Sequence, residues 1–357
     1  MMAHAQTYLV SLESVNGLQL KSDDVYYIFH PLFHITPRYV AIYAALIAGA
    51  QVHIDRAFSA ERWLARIREC GATVSIAHGP MLEMIHSQPE RSDDADNPLR
   101  RFATSPFPRR IAADFERRFG ARGLEVWGMT EANIPIWSSL DEPLRPGSCG
   151  RTVSNYHEVR LVDSETDREV PTGAVGEIVV RPRLPWTLMQ GYFGMPEATV
   201  KAWRNLWFHS GDAAYQDADG YFYFVDRMGD RIRRRAENVA SYDIEVAACD
   251  HPSVEEAAAV GVASEFASDD DIKLVFVAKA GAHVIPEELL EFLTPRLPYY
   301  MVPRYLEQVS ALPRTATNKV RKAELRQRGT AGCWDRHTAG IALRDIAERT
   351  RRVTRRS

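Results

Sequence analysis

Four short segments carry residue types whose spacing could do chemistry on a charged substrate. In Trp127-Gly128-Met129-Thr130-Glu131 a strand ends in glycine, which lets backbone approach a ligand, and a hydroxyl and a carboxylate follow on the turn. Taken alone, Thr130 and Glu131 would read as a helix-capping pair in a surface turn. After an aromatic residue, Ser210-Gly211-Asp212 forms a turn that can aim a carboxylate into a cleft. Lys319 closes the run Leu312-Pro313-Arg314-Thr315-Ala316-Thr317-Asn318-Lys319-Val320; an isolated exposed lysine would signify nothing. Pro31-Leu32-Phe33-His34 follows a strand. His30 and His34 could share a metal if they lay on one helix, but Pro31 and the β-type run before them argue against that. By spacing alone, His34 reads as a satisfied core histidine.

These segments occur in one order with HSGD (209–212), VDR (225–227) and RRAENVA (234–240), and in that order they resemble the adenylate-forming acyl- and aryl-CoA synthetases, which also include luciferases and peptide-synthetase adenylation domains. The runs GYFYFVDR, ENVAS and PRYLEQVSALPRT look most like crotonobetaine/carnitine-CoA ligases and neighbouring medium-size acyl-CoA synthetases. The resemblance implies a carboxylic acid, ATP and coenzyme A as reactants, with Mg2+. The acid would attack the α-phosphate to give an acyl-adenylate and pyrophosphate, and the thiol would then displace AMP.

Site roles follow from the same resemblance. Trp127, Gly128, Met129 and Thr130 form the nucleotide segment, with the Thr130 hydroxyl on a phosphate and Glu131 on Mg2+. That metal takes one or two carboxylates plus phosphate oxygens and water, so one glutamate is sufficient. Asp212 would take the ribose diol with its two oxygens, and Arg227 would add a donor beside it. His34 would border the acyl and thiol pockets. Lys319 would bring a mobile positive charge to the reacting carboxylate and phosphate, an effect worth a few kcal/mol (~3) for one well-placed group. A small C-terminal domain would turn between the steps, withdrawing Lys319 and presenting the loop around Ala236 and Glu237.

Three positions depart from the family pattern. Gly229 replaces the usual Asp or Lys of the joint and predicts a looser hinge. Ala236 replaces a loop glycine and would hinder thioester formation before adenylation, at roughly 1 kcal/mol or more if that position needs positive φ. Asn318 replaces another glycine and is mild, because asparagine tolerates left-handed geometry. The family's Ser/Thr/Gly-rich loop ending P-K-G, whose amides wrap the ATP phosphates, does not occur in these residues. Met2-Ala3-His4-Ala5 resembles the segment directly after it. The expectation is a chain lacking the N-terminal part of the enzyme, with exposed apolar sheet edges and impaired activity, or a non-catalytic remnant that survives as a binding module.

The elements that must position these residues alternate. Strands at VYYIF, QVHI, TVSIA and LEVWG are separated by helices over 38–48, 60–68, 80–87 and 108–119, which predicts an α/β domain with a largely parallel sheet. From Glu158 to Val225 short strands with Gly and Pro turns predict a β-rich subdomain. Beyond a charged joint, a helix from Tyr242, strands VEEAAAVGV and IKLVFVA, a helix from Pro286 and a strand over 304–309 predict a small mobile α+β domain. The expected boundaries are 1–226 for the adenylation domain (1–150 α/β, 151–226 β-rich), 227–230 for the hinge, 231–327 for the small domain, and 328–357 for a loosely docked Arg-rich tail.

Composition excludes other classes. The 357 residues are 45% apolar with a formal charge of -3, which suggests neither disorder nor a nucleic-acid footprint. Cys70, Cys149, Cys249 and Cys333 lie far apart, fitting a reduced compartment and no structural zinc. No signal peptide is apparent, and the run 39–54 is shorter than the roughly 20 residues of a spanning helix, so the expected location is the cytoplasm.

Overall fold

The computed structural model describes all residues except 154, 230, 231, 235, 236, 266–268, 316–318, 345 and 347–357, and gives the backbone alone at 237 and 238. The chain divides into two compact units, Met1–Phe224 and Val225–Ser357.

In the first unit α1 (His4–Gly17) precedes β1 (Val25–Ile28), and a π-helical segment Thr36–Tyr43 runs into α2 (Ala44–Ala48). Then follow β2 (Gln51–Ile54), α3 (Ala60–Cys70), β3 (Val74–Ala77), α4 (Gly79–His86), β4 (Arg101–Thr104), α5 (Ala112–Phe119), β5 (Arg122–Met129), β6 (Asn133–Trp137) and β7 (Arg151–Thr152). They form a seven-stranded sheet of order β2-β1-β3-β4-β5-β6-β7. Pairing is parallel from β2 to β5 and antiparallel for β6 and β7. Alternate residues of β1 face opposite cores. Tyr26 and Ile28 pack with Val10 and Leu18 of the α1 side and with Val40 and Ala44, whereas Tyr27 packs with Trp63, Ile67 and Leu82 of α3 and α4. Helices therefore cover both faces, as a parallel sheet requires. The α1 segment has no readable apolar stripe because its inward face includes the buried Gln6, Ser11, Glu13 and Ser14.

A second sheet continues this unit. Strands β8 (His157–Val162), β9 (Gly176–Pro182), β10 (Trp203–Arg204), β11 (Trp207–Gln216) and β12 (Phe222–Arg227) form it, and α6 (Pro196–Ala202) precedes β10. The path is β10-β11-β9-β8, with β12 beside β11. Gly128 is fixed by its own hairpin: a Cβ there would meet Asn133 O at 2.3 Å. At this glycine the backbones of β5 and β6 approach too closely for any side chain.

The second unit contains β13 (Ile232–Arg234), β14 (Glu237–Val239), α7 (Ser241–Cys249), β15 (Val254–Ala263), β16 (Asp270–Ala278), α8 (Pro286–Leu293), β17 (Tyr305–Gln308), α9 (Lys322–Gln327) and β18 (Trp334–Asp335). Its four-stranded sheet runs β15-β16-β17-β18. Ile244, Leu274, Phe276, Leu289 and Leu293 fill the core between sheet and helices. The expected loose tail needs correction as far as residue 346. Strand β18 pairs with β17, Arg304 forks onto Asp335 at 3.1 and 3.2 Å, and Leu343 and Ile346 are buried in the core. Arginine-rich composition hid these apolar anchors. No described helix is long and apolar enough to cross a membrane.

Candidate functional site

Ligands of open α/β sheets bind beyond the carboxyl ends of the strands, where the strand order reverses. Here the order 2-1-3-4-5 reverses between β1 and β3. The segment His30 to His34 leaves the end of β1, and His78 leaves the end of β3. Their rings cluster: His30 lies 4.9 Å from His78 and His34 lies 6.1 Å from His78, each edge to face. The Thr36 amide donates to His34 Nδ1 at 3.2 Å. An amide only donates, so Nδ1 is an acceptor and the neutral ring carries its proton on Nε2. Burial, followed by the neighbouring His78 and His34, holds His30 well below the usual imidazole range. Sequence reasoning singled out His34 but missed His78; its place directly after the apolar run TVSIA was the available signal.

Beyond β5 stands the second group. The turn between β5 and β6 carries Thr130, exposed, and Glu131, half-buried. No helix follows, which removes the capping reading for this pair. Gln6 of α1 donates to Thr130 O at 3.0 Å and Glu131 O at 3.3 Å, and the Met189 amide donates to Glu131 O at 3.0 Å. The turn is thereby tied on two sides. Tyr192 Oη donates to Glu131 Oε1 at 3.1 Å, orienting the carboxylate.

Asp212 comes from β11 in the other sheet and meets this group through Trp127. The indole Nε1 donates to Asp212 Oδ2 at 2.9 Å, across 85 residues of chain. Both side chains are buried, Asp212 to 3% exposure. Trp127 is packed among Ile178, Met189, Phe208 and Phe222, so its N–H has little freedom to leave. Of the two Asp212 oxygens expected to take a diol, Oδ2 already accepts the indole and keeps a second lone pair for a hydroxyl. Two residues before Trp127 on β5, burial pushes the Glu125 carboxyl up to about 8, against the opposing Phe107 amide and Arg109.

In the second unit Lys319 is exposed. Its amide donates to Thr315 Oγ1 at 3.1 Å and its carbonyl accepts the Thr315 amide at 2.8 Å, closing a short loop whose middle, with Asn318, lies outside the described residues. Arg227 is exposed, with its amide on Asp226 Oδ1 at 2.8 Å. Asp226 Oδ2 accepts the Ser241 amide at 2.8 Å and also the Ser241 hydroxyl. Residue 226 is thus fastened to the start of α7. The carbonyl of Gly229 accepts Arg326 Nη1 at 3.0 Å, and a Cβ on Gly229 would meet nothing within 4 Å. Ala236 lies outside the described residues. Glu237 opens β14, its backbone paired with Arg234. Among the described residues no group of three or more His, Cys, Asp or Glu side chains could hold a metal ion. A single carboxylate such as Glu131 fits a Mg2+ held largely by ligand phosphate and water.

Comparison with known proteins agrees with this geometry. The AMP-binding enzyme family matches residues 1–193, and the AMP-binding enzyme C-terminal domain matches residues 243–319. The crotonobetaine/carnitine–CoA ligase of Salmonella arizonae is 32% identical over 320 residues, covering 86% of this chain and 59% of the relative. The Citrobacter koseri protein of the same name is 32% identical over 321 residues with the same coverage. The chain therefore spans about three fifths of the length of these curated relatives. Among solved structures, ATP-bound MatB from Rhodopseudomonas palustris superposes with a TM-score of 0.83 at 26% identity, covering 92% of this chain and 64% of that one. The o-succinylbenzoate coenzyme A synthetase of Bacillus subtilis, in complex with ATP and magnesium ion, gives 0.79 at 25% identity, covering 91% and 66%. This chain belongs to the AMP-binding enzyme family.

Proposed function

We propose that the chain carries the nucleotide site of an acid-thiol ligase that converts a carboxylic acid, ATP and coenzyme A to an acyl-CoA, AMP and pyrophosphate. The observation that carries this reading is the Trp127 to Asp212 hydrogen bond, which joins the WGMTE turn to the SGD turn in one buried contact. Asp212 takes a ribose hydroxyl while Trp127 holds its second oxygen; a desolvated carboxylate is a stronger acceptor there than at the surface. At 3% exposure the carboxylate is reached only when the side chains over it shift. The Thr130 hydroxyl binds a phosphate oxygen. Glu131, oriented by Tyr192, holds Mg2+, which when bound neutralises phosphate charge. The acid binds near His34 at the β1/β3 reversal point.

The acid oxygen attacks the α-phosphorus and pyrophosphate leaves with the bonding pair. Lys319, on its short exposed loop, supplies positive charge as charge builds on the phosphoryl oxygens. In the second half-reaction the thiol sulfur attacks the acyl carbon and AMP departs. Residues 227–230 act as the hinge between the halves of the cycle, with Gly229 bringing no side chain of its own and its carbonyl accepting Arg326 Nη1 at 3.0 Å, and the loop at Ala236 and Glu237 serves the thiol step. Arg227 adds a donor to the ribose. Crotonobetaine- or carnitine-like acids head the substrate panel, because the relatives named above carry that name.

Titration with AMP and ATP, together with acid-dependent ATP–pyrophosphate exchange, tests the reading. Expected are AMP binding lost in Asp212→Ala, and exchange, where measurable, abolished in Lys319→Ala with AMP binding retained. Absence of AMP binding by the unaltered chain would sink the proposal. AMP binding with no exchange favours the second reading, a nucleotide-binding module without catalysis.

A further inference from the structure

We propose that Glu177 is a positioning residue for the nucleotide sugar, acting through the backbone of Gly211 on Asp212; this rests on the reading of Asp212 given above. Strand β11 cannot keep its ladder with β9 through the SGD turn. His209 faces Val179 and Ala213 faces Glu177, so three residues of β11 (210–212) oppose the single Ile178. The excess forms a bulge, with Gly211 at φ +70. A bulge re-aims side chains at the cost of ladder hydrogen bonds, and its freed backbone groups need new partners.

Those partners come from two side chains. Glu177 Oε1 accepts the Gly211 amide at 2.9 Å. The Ser210 hydroxyl donates to Ile178 O at 2.6 Å and accepts the Asp212 amide at 3.0 Å. Glu177 is itself fixed: it is 5% exposed, its Oε2 lies 2.9 Å from His209 Nδ1, and the Arg204 guanidinium is 3.6 Å away. The residue before Asp212 is therefore held by a buried carboxylate whose own direction is set by neighbours. The position of the Asp212 carboxylate against a ribose depends on that brace, because one residue of backbone slack moves a side chain by more than the length of a hydrogen bond.

Two substitutions separate reach from charge. Glu177→Asp keeps the carboxylate and withdraws it from Gly211 by one methylene. Glu177→Gln removes the charge and keeps an oxygen at the same reach. The full chain is titrated calorimetrically with AMP and with 2′,3′-dideoxy-AMP, which lacks the hydroxyls. The unaltered chain is expected to prefer AMP, and Asp212→Asn to erase most of that preference. Glu177→Asp should lower the AMP to dideoxy-AMP affinity ratio about tenfold, as loss of an aligned hydrogen bond to a charged group would, with dideoxy-AMP affinity unchanged. Glu177→Gln should keep the ratio within about threefold of the parent on the same argument. An unchanged ratio in Glu177→Asp, an equal fall for both ligands, or a Gln variant as impaired as the Asp variant overturns the inference. If Asp212→Asn itself leaves the ratio unaltered, the ribose reading fails and the inference fails with it.

Discussion

Removing the indole N–H with Trp127→Phe tests the contact on which the site depends. The bond to Asp212 Oδ2 is 2.9 Å long and buried, and hydrogen bonds to charged groups contribute about 1.5–3 kcal/mol. Phenylalanine also fills less of the pocket formed by Ile178, Met189, Phe208 and Phe222, a packing loss of about 1 kcal/mol by analogy with methylene deletions. The single change should therefore lower unfolding stability by roughly 2.5–4 kcal/mol, the sum of those two contributions. A double-mutant cycle with Asp212→Ala removes the packing part, because that loss is common to both backgrounds. The coupling between Trp127 and Asp212 is then expected at about 1.5–3 kcal/mol. Urea unfolding of the four proteins, followed by far-UV circular dichroism, measures it. A coupling under about 0.5 kcal/mol, the level at which independent sites add, would refute the claim that this bond joins the two turns.

Gly128→Ala should be severe: its Cβ would strike the Asn133 carbonyl and the Ile134 backbone, which have nowhere to move, so thermal unfolding should drop by many degrees or folding fail. Gly229→Ala should do the opposite, because nothing lies within 4 Å of the new Cβ; a gain of about 0.4–1 kcal/mol from the less flexible unfolded chain is expected in the same measurement. Glu125, raised by burial to about 8 from an ordinary value of 4.5, binds a proton more tightly when folded. Between those two values the unfolded chain loses its proton while the folded chain keeps it, so stability should fall as pH rises through this window and level off above it. Glu125→Gln should flatten that slope in a urea midpoint series from pH 5 to about 9; an unchanged slope assigns the effect elsewhere.

What was legible in the sequence was local. The alternation of β-branched runs with amphipathic segments is a property of neighbours along the chain, and it returned β1, β2, β3 and β5 of the parallel sheet and the helix starts at Ser241 and Pro286 to within a few residues, but not the short central strand β4. The ordered motifs around Glu131, Asp212 and Lys319 likewise announced the family, because a motif is itself a local string. Helix α1 stayed hidden, since a helix whose inward face carries Gln6, Glu13 and Ser14 buries polar groups that only distant partners satisfy: Glu13 reaches the Ile134 amide at 3.2 Å and pairs with His157. Strand β11 was broken in the sequence reading by its own glycine, because the bulge is stabilised by Glu177 on another strand. The tail was misjudged from its charge, while Leu343 and Ile346 found a core assembled by residues far upstream. Residue types and order determined which chemistry the chain carries. Which donor satisfies each buried acceptor was decided only by tertiary structure, because burial makes an unpaired polar group costly and the partner that removes the cost comes from anywhere in the chain.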